Sequence, residues 1–166
     1  YYFATGVGGI NILTLDKNGK EQIVPYPMNK AILKASRDVI SSIYQENETT
    51  LWLGTSGSGL LKLNLKTGMV IAYTRKQGLP NNFVYGILPD ERGNLWLSTN
   101  KGLCRFNVTQ EYCTNYSEVN GLMSNEFNTG AYLLSGTGEM YFGGIEGYNF
   151  FNPENLQELK EKVYVN

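Results

Sequence analysis

An all-β fold, a β-propeller fragment of about four four-stranded antiparallel blades, is predicted by a repeated aromatic phrase, a repeated glycine turn and a strand-rich composition. The phrase reads Leu51-Trp52-Leu53-Gly54-Thr55, Leu95-Trp96-Leu97-Ser98-Thr99 and Met140-Tyr141-Phe142-Gly143-Gly144. Successive aromatics lie about 44 residues apart, the period of a propeller blade. A further copy, Tyr2-Phe3-Ala4-Thr5, opens the chain at a longer interval. After each phrase come a glycine and a second strand, as in Gly59-Leu60-Leu61-Lys62-Leu63 and Gly102-Leu103-Cys104-Arg105-Phe106. Glycine there supplies the positive φ that a tight turn demands. With 19 glycines and 12 tyrosines, the composition suits a β-rich protein with many turns.

Taken in order, residues 1–26 read as the last three strands of a blade, with Lys17-Asn18-Gly19-Lys20 as a hairpin turn. Residues 27–37 form an irregular connection in which Asn29 to Ala35 has room for one or two helical turns. Residues 38–74 and 83–117 read as complete blades, each opened by an apolar run, Val39 to Tyr44 and Val84 to Leu88. Residues 127–152 supply three strands of a last blade. Residues 153–166 read as an exit segment, whose end, Val163-Tyr164-Val165, is an edge strand or the exit to another domain. A partial ring leaves two large apolar blade faces uncovered, so self-association into a homo-oligomer is expected, most simply two-fold.

The bulk numbers exclude several function classes. A formal charge of −1 gives no basic surface for nucleic acid or anionic membranes. Apolar runs of about six residues are too short for a membrane helix, so any membrane attachment belongs to a longer parent protein. The chain contains no histidine, which removes Ser-His-Asp and Cys-His catalysis and imidazole-bound zinc from this segment. Its two cysteines are too few for a zinc site, and no metal or other cofactor is expected.

Individual motifs have structural and chemical readings. Asp90-Glu91-Arg92-Gly93-Asn94 offers clustered oxygens to calcium, but an aspartate opening a turn more simply accepts backbone N–H bonds. Trp52, Trp96 and Tyr141 could stack on sugars, yet their fixed place in a repeated strand makes them blade-packing anchors. Strand directions place Arg37, Asn81, Asn82, Asn100, Lys101, Asn125, Glu126, Asn128 and Glu146 at one mouth of the channel. A rim of amides and charges suits recognition of hydroxyl groups. Glu126 and Glu146 would serve a glycosidase only if set about 5 to 9.5 Å apart across a bond, and nothing in the sequence positions them so. No catalytic residue is assigned.

Cys104 and Cys113 flank the turn Val108-Thr109-Gln110-Glu111. In a hairpin centred between Val108 and Thr109 they face each other and can form a disulfide; a one-residue slip turns them to opposite faces. Cys104 takes the place of Leu61 in the preceding repeat, which favours two buried thiols over the bridge.

Residues Gly78 to Leu103, with Gly78-Leu79-Pro80-Asn81-Asn82 and Gly93-Asn94-Leu95-Trp96-Leu97 at their heart, resemble the two-component-regulator propeller repeat. The run Gly121-Leu122, Asn125-Glu126-Phe127-Asn128, Gly138-Glu139-Met140-Tyr141-Phe142-Gly143-Gly144 and Phe151-Asn152-Pro153 is similar to the final blade of sensor propellers in Bacteroidetes hybrid two-component systems. Ser98 departs from the glycine that the family prefers. The resemblance implies part of the periplasmic sensor of a membrane-anchored histidine kinase, one that responds to an oligosaccharide or other glycan-derived ligand and signals to transcription. The chain starts within a strand phrase, in keeping with a piece of a longer protein. The rival readings are a secreted propeller lyase or glycosidase and a protein-interaction scaffold. Many propeller lyases use a histidine, which is absent here.

Overall fold

The computed structural model describes residues 1–5, 9–27, 30, 32 and 38–156. Its strands form four antiparallel sheets, the blades of a propeller. Blade 1 contains β1 (Tyr2–Thr5), β2 (Gly9–Leu15) and β3 (Glu21–Pro25). Blade 2 contains β4 (Ile40–Asn47), β5 (Thr50–Thr55), β6 (Leu60–Asn64) and β7 (Val70–Tyr73). Blade 3 contains β8 (Val84–Pro89), β9 (Asn94–Thr99), β10 (Gly102–Asn107) and β11 (Tyr112–Tyr116). Blade 4 contains β12 (Phe127–Leu134), β13 (Met140–Gly144) and β14 (Gly147–Phe151). The innermost strands β4, β8 and β12 pack in chain order, with β1 against β4. Arg37, most of the 27–37 connection and Val163-Tyr164-Val165 lie outside the described residues.

Strand alternation sends alternate residues to opposite faces of each blade, and this builds one core between each pair of neighbours. The face towards the following blade, here the forward face, carries Trp52 in blade 2 and Trp96 in blade 3. The rear face carries Leu51, Leu53, Leu61 and Leu63 in blade 2. Blades 1 and 2 meet through Ile10, Tyr26 and Ile32 against that leucine set. Blades 2 and 3 meet through Trp52, Leu60 and Tyr73 against Leu95, Leu97, Cys104 and Phe106. Blades 3 and 4 meet through Leu88, Trp96 and Leu103 against Phe127, Met140 and Phe142. Three cores thus serve four blades, and one face at each end of the row has no neighbour within the described residues.

The departure at Ser98 has a local compensation. Ser42 faces Gly54 across β4 and β5, whereas Gly86 faces Ser98 across β8 and β9. A Cβ at Gly54 would lie 2.2 Å from Ser42 Oγ and 2.8 Å from the Val84 carbonyl; one at Gly86 would lie 2.5 Å from the Tyr132 ring. Where the inner strands approach this closely, one member of each pair must be glycine. Which member it is differs between the two blades.

The disulfide corrects the expectation of two free thiols. Cys104 and Cys113 are bonded, with their Cα atoms 5.6 Å apart. The turn spans 108–111 and pairs Asn107 with Tyr112, so Cys104 opposes Asn115 and Cys113 opposes Phe106. The two cysteines are therefore diagonal neighbours on one face, not directly opposed, and strand twist brings one diagonal within disulfide reach. Asn107 Oδ1 fixes the turn by accepting the N–H groups of Thr109 and Gln110 at 3.1 and 2.7 Å. Glu111 adopts a left-handed φ of 56° at the place where Gly68, φ 72°, stands in blade 2. Its carboxylate accepts the Tyr73 hydroxyl at 2.6 Å. Burial, and then this carboxylate, push the Tyr73 phenol well above the usual tyrosine range, so it stays protonated and donating.

Candidate functional site

Two kinds of loop build the mouth at which the sequence places its polar residues. One is the turn between the second and third strands of a blade; the other is the connection from one blade's outer strand to the next blade's inner strand. The two described connections, 74–83 and 117–126, repeat each other closely. Each begins with a short 3-10 turn, Arg75–Gln77 and Glu118–Asn120, closed by a capping box from Thr74 or Ser117. Each turn ends on a glycine with φ 96°, Gly78 or Gly121, where a side chain would be strained.

Two of the rim asparagines hold these connections in place. Asn82 Oδ1 accepts the Arg75 N–H at 2.8 Å, and Asn125 Oδ1 accepts the Glu118 N–H at 3.0 Å. The main-chain oxygen of Asn82 accepts from Gly59 at 2.9 Å, and that of Asn125 accepts from Gly102 at 2.6 Å. Each asparagine therefore ties its connection to the neighbouring turn. Asn81 Oδ1 accepts the Phe83 N–H at 2.9 Å, a local turn bond. Asn100, Lys101, Glu126, Asn128 and Glu146 are exposed. Glu126 and Glu146 belong to adjoining segments, linked where the Ile145 N–H donates to the Glu126 carbonyl at 3.2 Å.

Of the rim residues, the fold brings Lys101 and Asn125 together in one cleft. It encloses about 450 Å³ and is completed by Pro80, Asn115, Tyr116 and Ser117. Neither Glu126 nor Glu146 lines it. Asn115 Nδ2 donates to the Gly78 carbonyl at 3.0 Å, which ties its amide to the 74–83 connection. Tyr116 stacks on Trp96 with ring centroids 5.3 Å apart. Lys101 is the charged member of this lining, and its own N–H is held by Thr99 Oγ1 at 2.9 Å. Asn125 Nδ2 donates to Glu118 Oε1 at 3.0 Å, so its amide is engaged at both ends; the Lys101 ammonium and the Asn115 side-chain oxygen, beside an apolar floor, can orient a polyhydroxylated molecule. Asn115, Tyr116 and Ser117 were missed in the sequence because they sit on or just after the outer strand β11, whose exposed alternation resembles any solvated edge.

At the opposite end, Asp90 is committed to structure. Its Oδ1 accepts from the Arg92 and Asn94 N–H groups at 3.0 and 2.8 Å; its Oδ2 accepts from Asn94 Nδ2 and Trp96 Nε1 at 2.9 and 3.1 Å. Glu46 plays the same part in blade 2, accepting Trp52 Nε1 at 2.9 Å. An acid six residues before each tryptophan was the available signal. A smaller cavity of about 220 Å³ lies on this side, among Arg92, Arg105, Asn94 and Asn107. Arg92 is paired there with Glu154 at 2.7 Å.

Trp52 and Trp96 are 0% and 1% exposed. Tyr141 occupies the same register, opposite Leu133 and Phe150. It is only partly buried, because among the described residues no following blade covers it.

Comparison with known proteins finds a matching repeat and matching folds. Residues 78–101 match the two-component regulator propeller family. The chain is 30% identical over 149 residues to histidine kinase P4 of Formosa agariphila, a match covering 89% of this chain and 11% of that protein. The extracellular domain of a hybrid two-component system from B. thetaiotaomicron superposes with a TM-score of 0.66 at 23% identity, covering 94% of this chain and 20% of the other. A second such domain from the same organism gives 0.62 at 21%, covering 95% and 22%. The chain thus spans about a tenth of the kinase and about a fifth of each solved domain. At these identities the solved structures show the fold. Residues 78–101 thus carry a two-component regulator propeller repeat, within a chain whose fold is that of a run of propeller blades.

Proposed function

We propose that this chain is a ligand-sensing part of the periplasmic ectodomain of a hybrid two-component histidine kinase, that its ligand is an oligosaccharide or glycan breakdown product, and that the receptor signals to transcription. The observation that carries this reading is the regulator propeller repeat at 78–101 in a chain 30% identical to a histidine kinase. The Cys104–Cys113 bridge supports an extracytoplasmic setting independently, since structural disulfides persist in oxidising compartments. The cleft supports the ligand class through the exposed Lys101 ammonium and the side-chain oxygen of Asn115, groups that can meet hydroxyls, while the Asn125 amide is held by Glu118.

The mechanism is differential binding. A ligand seated between the 74–83 connection, which contributes Pro80, and the 117–126 connection, which contributes Ser117 and Asn125, favours whichever receptor arrangement keeps the two at the right separation. It shifts the equilibrium by its difference in affinity between the two arrangements. Titrating the intact receptor ectodomain with a panel of neutral and acidic oligosaccharides, with calorimetry and product analysis run together, tests the proposal. Heat of binding without product release is expected, with weaker binding in the Lys101→Ala variant. Release of shorter sugars, or no heat from any member of the panel, would contradict it.

A further inference from the structure

We propose that the cavity of about 220 Å³ on the forward face of blade 3 binds a small oxyanion, a carboxylate, sulfate or phosphate group, at the Arg92 and Arg105 guanidiniums. It lies at the far end of β9 from the Lys101 cleft and is a separate site. Its walls are side chains of blade 3, from the β8–β9 turn through β11. Blade 4 clamps one of them, Arg92, through Glu154. Both blades that frame the cavity therefore lie within the described residues.

The lining combines two cations with neutral donors. Arg92 is fixed by two bonds to Glu154, from Nε to Oε2 and from Nη2 to the main-chain oxygen, each 2.7 Å long. That pair is neutral, and Arg92 Nη1 still carries two N–H groups. Arg105 therefore supplies the net positive charge of the lining. Its guanidinium holds five N–H donors, so it can serve a neighbour and an anion together. Around it stand the Thr114 and Tyr112 hydroxyls and the Gln110 side-chain amide, which make no hydrogen bond among the described residues. The rest of the wall is held in place: Asn107 Nδ2 donates to Asn94 Oδ1 at 3.1 Å, and Asn94 Nδ2 to Asp90 Oδ2 at 2.9 Å. Among the described residues no carboxylate lines the cavity. Guanidinium groups beside hydroxyl donors match the several lone pairs of an oxyanion.

Blade 2 shows that this set is not a general feature of the repeat. In register, Lys62 stands at the position of Arg105, Ile71 at that of Thr114 and Met69 at that of Tyr112. Glu48, four residues before Trp52, corresponds to Arg92, four before Trp96. Blade 2 thus has an acid and a cation where blade 3 has two cations, and apolar side chains where blade 3 has hydroxyls. Its cation is matched inside the fold. Lys62 lies over the Trp52 ring, 5.1 Å from the centroid, and 4.0 Å from Glu111 of the next blade. Glu111 and Leu156 each stand four residues after an asparagine, Asn107 or Asn152, whose Oδ1 accepts the N–H two residues on. The carboxylate that blade 3 sets over Lys62 is therefore a leucine where blade 4 meets blade 3, and Leu156 packs into their shared core. A bound oxyanion would restore at Arg105 the charge match that Glu111 gives Lys62.

Proton–nitrogen NMR of the chain, titrated with sodium acetate, sulfate or phosphate against sodium chloride at one ionic strength, tests the site. The side-chain N–H signals of Arg92 and Arg105 and the backbone signals of Gln110 and Thr114 should move together and saturate with one millimolar dissociation constant for at least one of the three anions. Arg105→Gln should raise that constant about tenfold, through loss of a charge-assisted contact. Thr114→Val, close to the native side chain in shape and set on the outer strand β11, should raise it about threefold. Lys17→Gln, an exposed charge in the β2–β3 turn, should leave it unchanged. No saturating shift with any of the three anions, shifts that chloride reproduces, or equal affinity in the unaltered chain and both cavity variants would overturn the proposal.

Discussion

Trp96→Ala should lower the free energy of unfolding by about 3–5 kcal/mol, the cost of emptying a large aromatic site in a core. Trp96 stacks on Tyr116 and meets the tilted ring of Phe151, at centroid distances of 5.3 and 4.8 Å, and its indole N–H donates to Asp90. Truncation removes the contact between blades 3 and 4 at its centre and takes one donor from a carboxylate that also organises a turn. Tyr141→Ala, at the same register one blade later, should change stability by less than about 1 kcal/mol, because among the described residues no following blade packs over it. Urea denaturation of the two variants at submicromolar concentration measures the contrast. Equal losses would mean that the register equivalence does not set burial.

Opening the Cys104–Cys113 bridge should cost about 2–3 kcal/mol, the loop-closure contribution of a short hairpin loop. Cys104 is fully buried in the core between blades 2 and 3, and Cys113 lies at its margin. Reduction therefore frees a hairpin whose Glu111 accepts the Tyr73 hydroxyl across the same contact. Thiol titration of the denatured, unreduced chain should find no free thiol, and the thermal midpoint should fall on adding a reductant. Two titratable thiols per chain would contradict the bridge.

The blade architecture was legible because it is written in strand alternation. An aromatic at a fixed place, a glycine turn after it and an apolar run before it recur at a period that only a stacked unit explains. The disulfide register was less legible, since it depended on where a four-residue turn is centred. Asn107 and the left-handed Glu111 fix that centre through hydrogen bonds and a backbone conformation that strand patterning does not record. Ser98 looked like an isolated departure until the fold set Gly86 opposite it. The site was the least legible feature. Asn82 and Asn125 were identified by residue type, yet their amides are engaged in holding loops, while the cleft owes half its lining to Asn115, Tyr116 and Ser117 around the end of an outer strand.

Native-state hydrogen exchange in dilute solution tests most directly the central claim of three blade cores flanked by two faces that have no neighbour among the described residues. The amides of β5, β6, β9 and β10, in middle strands covered on both faces, should exchange slowest. Those of β3 and β14, in sheets with one uncovered face, should exchange much faster. Protection of β3 and β14 equal to that of β9 and β10 in the monomer would contradict this arrangement.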